Sequence, residues 1–148
     1  KLLSEKDEKT IVSILQRVYE NELTFRDTTI PQEDFDIRQK EKYISELTDH
    51  YRRSKLVITD RLHGMIFAAI TGTPCIVLPN SNHKIAATYN DWLSGCNYIT
   101  LMNQVDEKAL LKIIQHYTSR IFKNNYLSID IPFTELKDYL QQVQVNDE

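Results

Sequence analysis

Three short apolar runs, at residues 55–59 (KLVIT), 75–78 (CIVL) and 98–101 (YITL), constrain this chain most. Each suits a buried strand and is too short for a core helix. The stretches between and around them have helical patterning instead. Ser4 is placed as an N-cap with Asp7 and Glu8 behind it, and Ile11, Ile14, Leu15 and Val18 follow at helical spacing. Residues 37–53 form a polar helix with Tyr43, Ile44 and Leu47 on one side; Arg52, Arg53 and Lys55 suit its C-terminal turn. A helix that begins at Asp60 or Arg61 runs through Met65, Ile66, Ala69 and Ile70, and Gly72 stops it before Pro74. Residues 83–93 and 106–118 are the next helices, the first stopped by Gly95 and the second opened by Asp106 and Glu107. A further strand is expected at 23–25, a loop at 27–31 bounded by Pro31, and a last helix at 134–143. Strands that alternate with helices imply parallel crossovers. The expected fold is therefore α/β, a parallel sheet with helices on both faces.

The chain has 148 residues, which suits a single domain. Its charge is unevenly spread. Residues 56–100 carry only Asp60, Arg61, Lys84 and Asp91, whereas the other 103 residues carry 35 charges. The same window holds all three glycines, Gly64, Gly72 and Gly95. A charge kept among buried apolar segments usually has a partner or a task. Residues 62–83 lack a formal charge, but their strongly apolar part is only 14 residues and is interrupted by Thr71-Gly72-Thr73-Pro74, which argues against a membrane span. A net charge of −3 gives no electrostatic case for nucleic acid. No secretory signal opens the sequence, and Cys75 and Cys96 form neither a disulfide framework nor a metal pattern; Cys75 is expected to be a buried free thiol in a reducing, cytoplasmic setting. There is no P-loop and no G-x-G-x-x-G.

The strongest chemical constellation is Thr59-Asp60-Arg61-Leu62-His63-Gly64, where a buried strand meets its helix. Ligands of open α/β sheets gather outside the carboxyl ends of the strands. A helix N-terminus adds unpaired N–H groups and a partial positive charge. Arg61 offers a planar fork for carboxylate or phosphate. His63 is suited to proton transfer near neutrality. Gly64 keeps a Cβ out of the way of an approaching ligand. A plain structural account uses the same residues: Asp60 as N-cap, Arg61 as its exposed ion-pair partner, His63 satisfied in the core. Lys84 follows the next strand and could complete an anion pocket; the alternative is a solvated lysine in a first helical turn, where positive charge is mildly unfavourable. Asp27 either faces a cleft or caps a turn, and Asp91 has no assigned role. His50, His83 and His116 are read as surface or loop residues.

The segment from Leu56 to Pro79, with its R-L-H and G-T-P elements and the downstream Lys84, resembles the hallmark segment of the polysaccharide pyruvyl transferases. The resemblance is clear over residues 55–89 and looser over 4–54. It implies a Rossmann-like domain, the C-terminal half of a GT-B-like two-domain protein with its active site in the interdomain cleft. On that basis residues 1–148 are expected to form one C-terminal domain, its N-terminal partner and a first strand lying upstream. A piece of this size is expected to be able to fold without being active. The implied reaction moves pyruvate from phosphoenolpyruvate to sugar hydroxyls of a surface or exopolysaccharide precursor, free or lipid-linked, and forms a ketal. His63 and Arg61 are then the catalytic residues, and Arg61, Leu62, Gly64 and Lys84 the substrate-binding ones. Phosphoenolpyruvate is the donor substrate and no cofactor or metal is called for.

Two other functions use the same residues. A GT-B glycosyltransferase would take a nucleotide sugar; such enzymes commonly hold ribose with a carboxylate, and residues 56–100 contain no glutamate. A non-catalytic assembly domain would bind no ligand near Arg61 and His63.

Overall fold

The computed structural model describes residues 3–20, 23–26, 36–79 and 83–119. In chain order the elements are α1 (Glu5–Tyr19), α2 (Ile37–Arg53), β1 (Val57–Thr59), α3 (Leu62–Thr71), β2 (Cys75–Val77), α4 (His83–Thr88), which runs directly into a π-helical turn (Tyr89–Leu93), β3 (Ile99–Leu101) and α5 (Glu107–Ser119). The strands form one sheet in the order β1-β2-β3, parallel at both pairings.

Register explains how the sheet divides the core. Val57, Cys75 and Ile99 lie in one row, Ile58, Ile76 and Thr100 in the next, and Thr59, Val77 and Leu101 in the third. Successive residues of a strand face opposite sides, so the first and third rows share a face. Cys75, Val77 and Ile99 pack with Leu47 and Tyr51 of α2 and Met65, Ala68 and Ala69 of α3. Ile76 and Leu78 pack on the other side with Ile11 and Ile14 of α1 and Leu110, Ile114 and Tyr117 of α5. Helices therefore cover both faces, as the alternation of elements requires. Cys75 is a fully buried free thiol, which burial pushes well above its ordinary pKa.

The helix ends follow local chemistry. The Ser4 hydroxyl accepts the Asp7 N–H, and Asp36 and Gln39 exchange bonds in a capping box. Gly72 ends α3 in the left-handed region (φ 68°, ψ 22°); its N–H and that of Thr73 bond back to the Ala69 and Ala68 carbonyls, at 3.3 and 3.0 Å. The Thr73 hydroxyl then donates to the Tyr51 carbonyl at 2.9 Å, which ties the end of α3 to that of α2.

Four expectations change. Residues 23–26 form no strand, because no described strand offers them a ladder; Phe25 is 72% exposed. The buried stripe of α2 is Leu47 and Tyr51 with Tyr43 partly buried, a fourfold repeat that leaves Ile44 outward. The 83–93 helix ends in the π-helical turn rather than in regular α geometry, and Gly95 follows within a turn. The N-cap of α3 is Arg61, in extended conformation, not Asp60. The 27–31 loop, with Asp27, and the 134–143 helix lie outside the described residues.

Ile76 occupies the middle of the central strand with no exposed surface. Ile76→Ala is expected to lower the unfolding free energy by about 2–5 kcal/mol. Chemical denaturation should show this as a lower midpoint at unchanged slope.

Candidate functional site

The turn from β1 into α3 is tight because Thr59 organises it. The Thr59 carbonyl accepts the Leu78 N–H at 2.8 Å, so β1 stays paired to its last residue. Its hydroxyl accepts the Arg61 N–H at 3.1 Å, a side-chain turn spanning two residues. The Arg61 carbonyl accepts the Met65 N–H at 3.1 Å, the first bond of the helix. Leu62, His63 and Gly64 make up the first helical turn. Their N–H groups precede the first possible intrahelical donor.

This helix start differs from those of α1, α2 and α5. Ser4, Asp36 and Asp106 each accept a backbone N–H at the starts of α1, α2 and α5. Arg61 supplies no such side-chain cap. The N-terminus of α3 is thus open, at the carboxyl edge of the sheet, with a guanidinium beside it. Backbone donors and the positive end of the helix dipole make that an anion-binding arrangement.

Gly64 is buried, and its reason is steric. A Cβ there would fall on the Thr59 hydroxyl and lie 3.0 and 3.1 Å from the Thr59 Cβ and Cγ2. The missing side chain lets the first turn of α3 rest directly on β1. This is a packing role that the sequence pattern does not disclose, and it leaves the Gly64 backbone in the open turn.

The remaining side chains sort by exposure. The Arg61 side chain is 58% exposed, its Nε 3.6 Å from the Asp60 carboxylate. An ion pair this exposed and this long contributes little to stability, so it leaves the guanidinium available. His63 is exposed, not satisfied in the core. It shares an outer face of α3 with the partly exposed Ile66 and Ile70, at i, i+3 and i+7. Leu62 is partly buried and packs on the core. Lys84 is exposed in the first turn of α4, which begins after β2 at the same edge of the sheet. The four residues from Arg61 to Gly64 are therefore brought together, and Lys84 follows the adjacent strand. Asp91 is exposed in the π-helical turn that continues α4.

The amino edge of the sheet is built differently. A cavity of about 250 Å³ lies there, lined by Arg52, Lys55, Thr71, Thr73 and Thr118 among others. Its cations sit where helix C-termini converge and offset the carbonyl ends, and Thr71 and Thr73 already bond each other at 2.8 Å. Its composition is explained without a ligand. The titration shifts also fall away from the Arg61 turn. Burial raises Tyr51 and Tyr117, while burial, then Arg26 and Arg53, lower His50. No described helix is long and apolar enough to cross a membrane.

Thr59 was visible in the motif, but nothing in composition or charge assigned it a role. The available signal was a hydroxyl two residues ahead of the helix cap.

The family model described as polysaccharide pyruvyl transferase matches residues 3–83. General stress protein 30 of Bacillus subtilis (strain 168) is 46% identical over 79 residues, 53% of this chain and 23% of that protein. Pyruvyl transferase 1 of Schizosaccharomyces pombe is 35% identical over 88 residues, 57% of this chain and 22% of that protein. The chain thus spans less than a quarter of the length of either relative. No solved structure matches it.

Gly64→Ala is expected to destabilise the fold by about 1–3 kcal/mol through overpacking, although alanine is the better helix former by about 1 kcal/mol. Adding Thr59→Ala should recover part of the loss, because the obstructing hydroxyl and Cγ2 are gone while the Cβ stays. A double-mutant cycle by chemical denaturation checks this; additive effects would exclude the contact.

Proposed function

The chain belongs to the polysaccharide pyruvyl transferase family, and on that premise we propose that it supplies the donor-binding half of a phosphoenolpyruvate-dependent pyruvyl transferase. The observation that carries this reading is the open first turn of α3 with Arg61 at its cap and His63 exposed beside it. Phosphoenolpyruvate presents a carboxylate and a phosphate, two anions that suit a guanidinium and a cluster of backbone N–H groups. Arg61 and the N–H groups of Leu62, His63 and Gly64 hold the donor, and Lys84 adds a further cation from the neighbouring strand exit. Residues 1–148 act as the C-terminal, Rossmann-like domain of a GT-B-like protein, and a second domain closes the cleft over the donor.

The chemistry follows from the donor. His63, as imidazolium, protonates the methylene carbon of the enol, which becomes a methyl group. The adjacent carbon, now electron-poor, is attacked by a sugar hydroxyl whose proton returns to the imidazole. The carbon–oxygen bond to phosphate breaks, and a second hydroxyl forms the other ketal bond. Inorganic phosphate carries away the remaining proton. The acceptor is a sugar of a surface or exopolysaccharide precursor, free or lipid-linked.

In the full-length protein, His63→Ala is expected to lower turnover by about 10²–10⁴-fold while donor binding survives. Arg61→Ala should weaken donor binding instead. Phosphate release and calorimetric titration with phosphoenolpyruvate separate the two effects. Unchanged phosphate release by His63→Ala would remove the acid assignment, and tight binding of a nucleoside diphosphate in place of phosphoenolpyruvate would overturn the donor.

A further inference from the structure

We propose that Thr59 is a positioning residue for the donor site: its side chain holds the first turn of α3 at two points and so sets where Arg61 and His63 are presented. The proposal rests on the functional reading above. Thr59 touches the turn on both sides of the residues that matter. Its hydroxyl accepts the Arg61 N–H at 3.1 Å, which fixes the cap residue. Its Oγ1, Cβ and Cγ2 occupy the space that any side chain at position 64 would need, which fixes how closely the turn approaches β1. Between those two points lie Arg61, Leu62 and His63.

Thr59 is itself held in place. Its carbonyl is bonded to the Leu78 N–H at 2.8 Å, and its register partner is Val77 of the buried central strand. Position is thereby transmitted from the rigid sheet, through one partly buried side chain, to an exposed guanidinium and imidazole. The hydroxyl also divides the donors of the turn. By taking the Arg61 N–H it leaves the N–H groups of Leu62, His63 and Gly64 as the ones that face outward from the helix end. Thr59 need not touch the donor for this. Misplacement of a binding group by about 1 Å can cost about 10²-fold in rate.

The test uses Thr59→Ser and Thr59→Ala in the full-length protein, with Thr59→Val as a second variant that keeps volume and removes the acceptor. Serine retains the hydroxyl, so its donor KM should stay within about threefold of the parent. Alanine and valine should raise donor KM by roughly 10–100-fold. Amide hydrogen exchange at Arg61, whose N–H the Thr59 hydroxyl holds, should accelerate in both and stay slow in serine, with exchange in β2 unchanged. A purely structural residue would lower the thermal midpoint without this difference between serine and alanine. Parent-like donor KM and parent-like exchange in alanine and valine overturn the proposal. If Arg61→Ala leaves donor binding intact, the functional reading fails instead, and the exchange comparison still decides whether Thr59 holds the turn.

Discussion

Burial of β2 on both faces governs the remainder of this molecule. Residues Cys75 to Leu78 are all buried, two toward α2 and α3 and two toward α1 and α5. A strand with no solvent face needs a partner along each edge and a helical layer above and below. Parallel pairing supplies the partners, and parallel neighbours require crossovers. From that requirement it follows that β1 and β2 end at the same edge, and that α3 and α4 start there. The candidate site is a product of this topology before any particular side chain is considered.

What the side chains add is selective incompleteness. Three helices are capped by Ser4, Asp36 and Asp106, and a cap of this kind typically contributes about 1 kcal/mol. At α3 the cap position is occupied by arginine, which has no acceptor to offer. The turn is nonetheless held, because Thr59 bonds it from behind and Gly64 lets it rest on the strand. Stability that elsewhere comes from a polar cap here comes from contact with the sheet, and the backbone donors stay open.

Features governed by neighbouring residues were legible in the sequence. The helix Ile37–Arg53 follows from its polar pattern and its basic end, and Gly72 before Pro74 marks the stop of α3. The turn from Arg61 to Gly64 was legible as a unit, since it joins an apolar run to a helix in a window with few charges. Features that depend on distant partners were not. Leu23, Thr24 and Phe25 have strand-forming character, but pairing is decided by whether another strand is alongside. Ile44 fits an apolar stripe one step away from the stripe that packing selects through Leu47 and Tyr51. The absent Cβ of Gly64 reads as clearance for a ligand until the distance to Thr59 is known, because that distance is a property of helix-on-strand packing.

Cys75 lies at the centre of this architecture, paired on one side with Val57 and on the other with Ile99. Its thiol is inaccessible and held in the protonated form by burial. A sulfur in that position is chemically silent for as long as the sheet is intact, since thiolate is the reactive species. Its modification by an external reagent therefore keeps time with separation of the strands, which makes the central cysteine an internal clock for opening of the core.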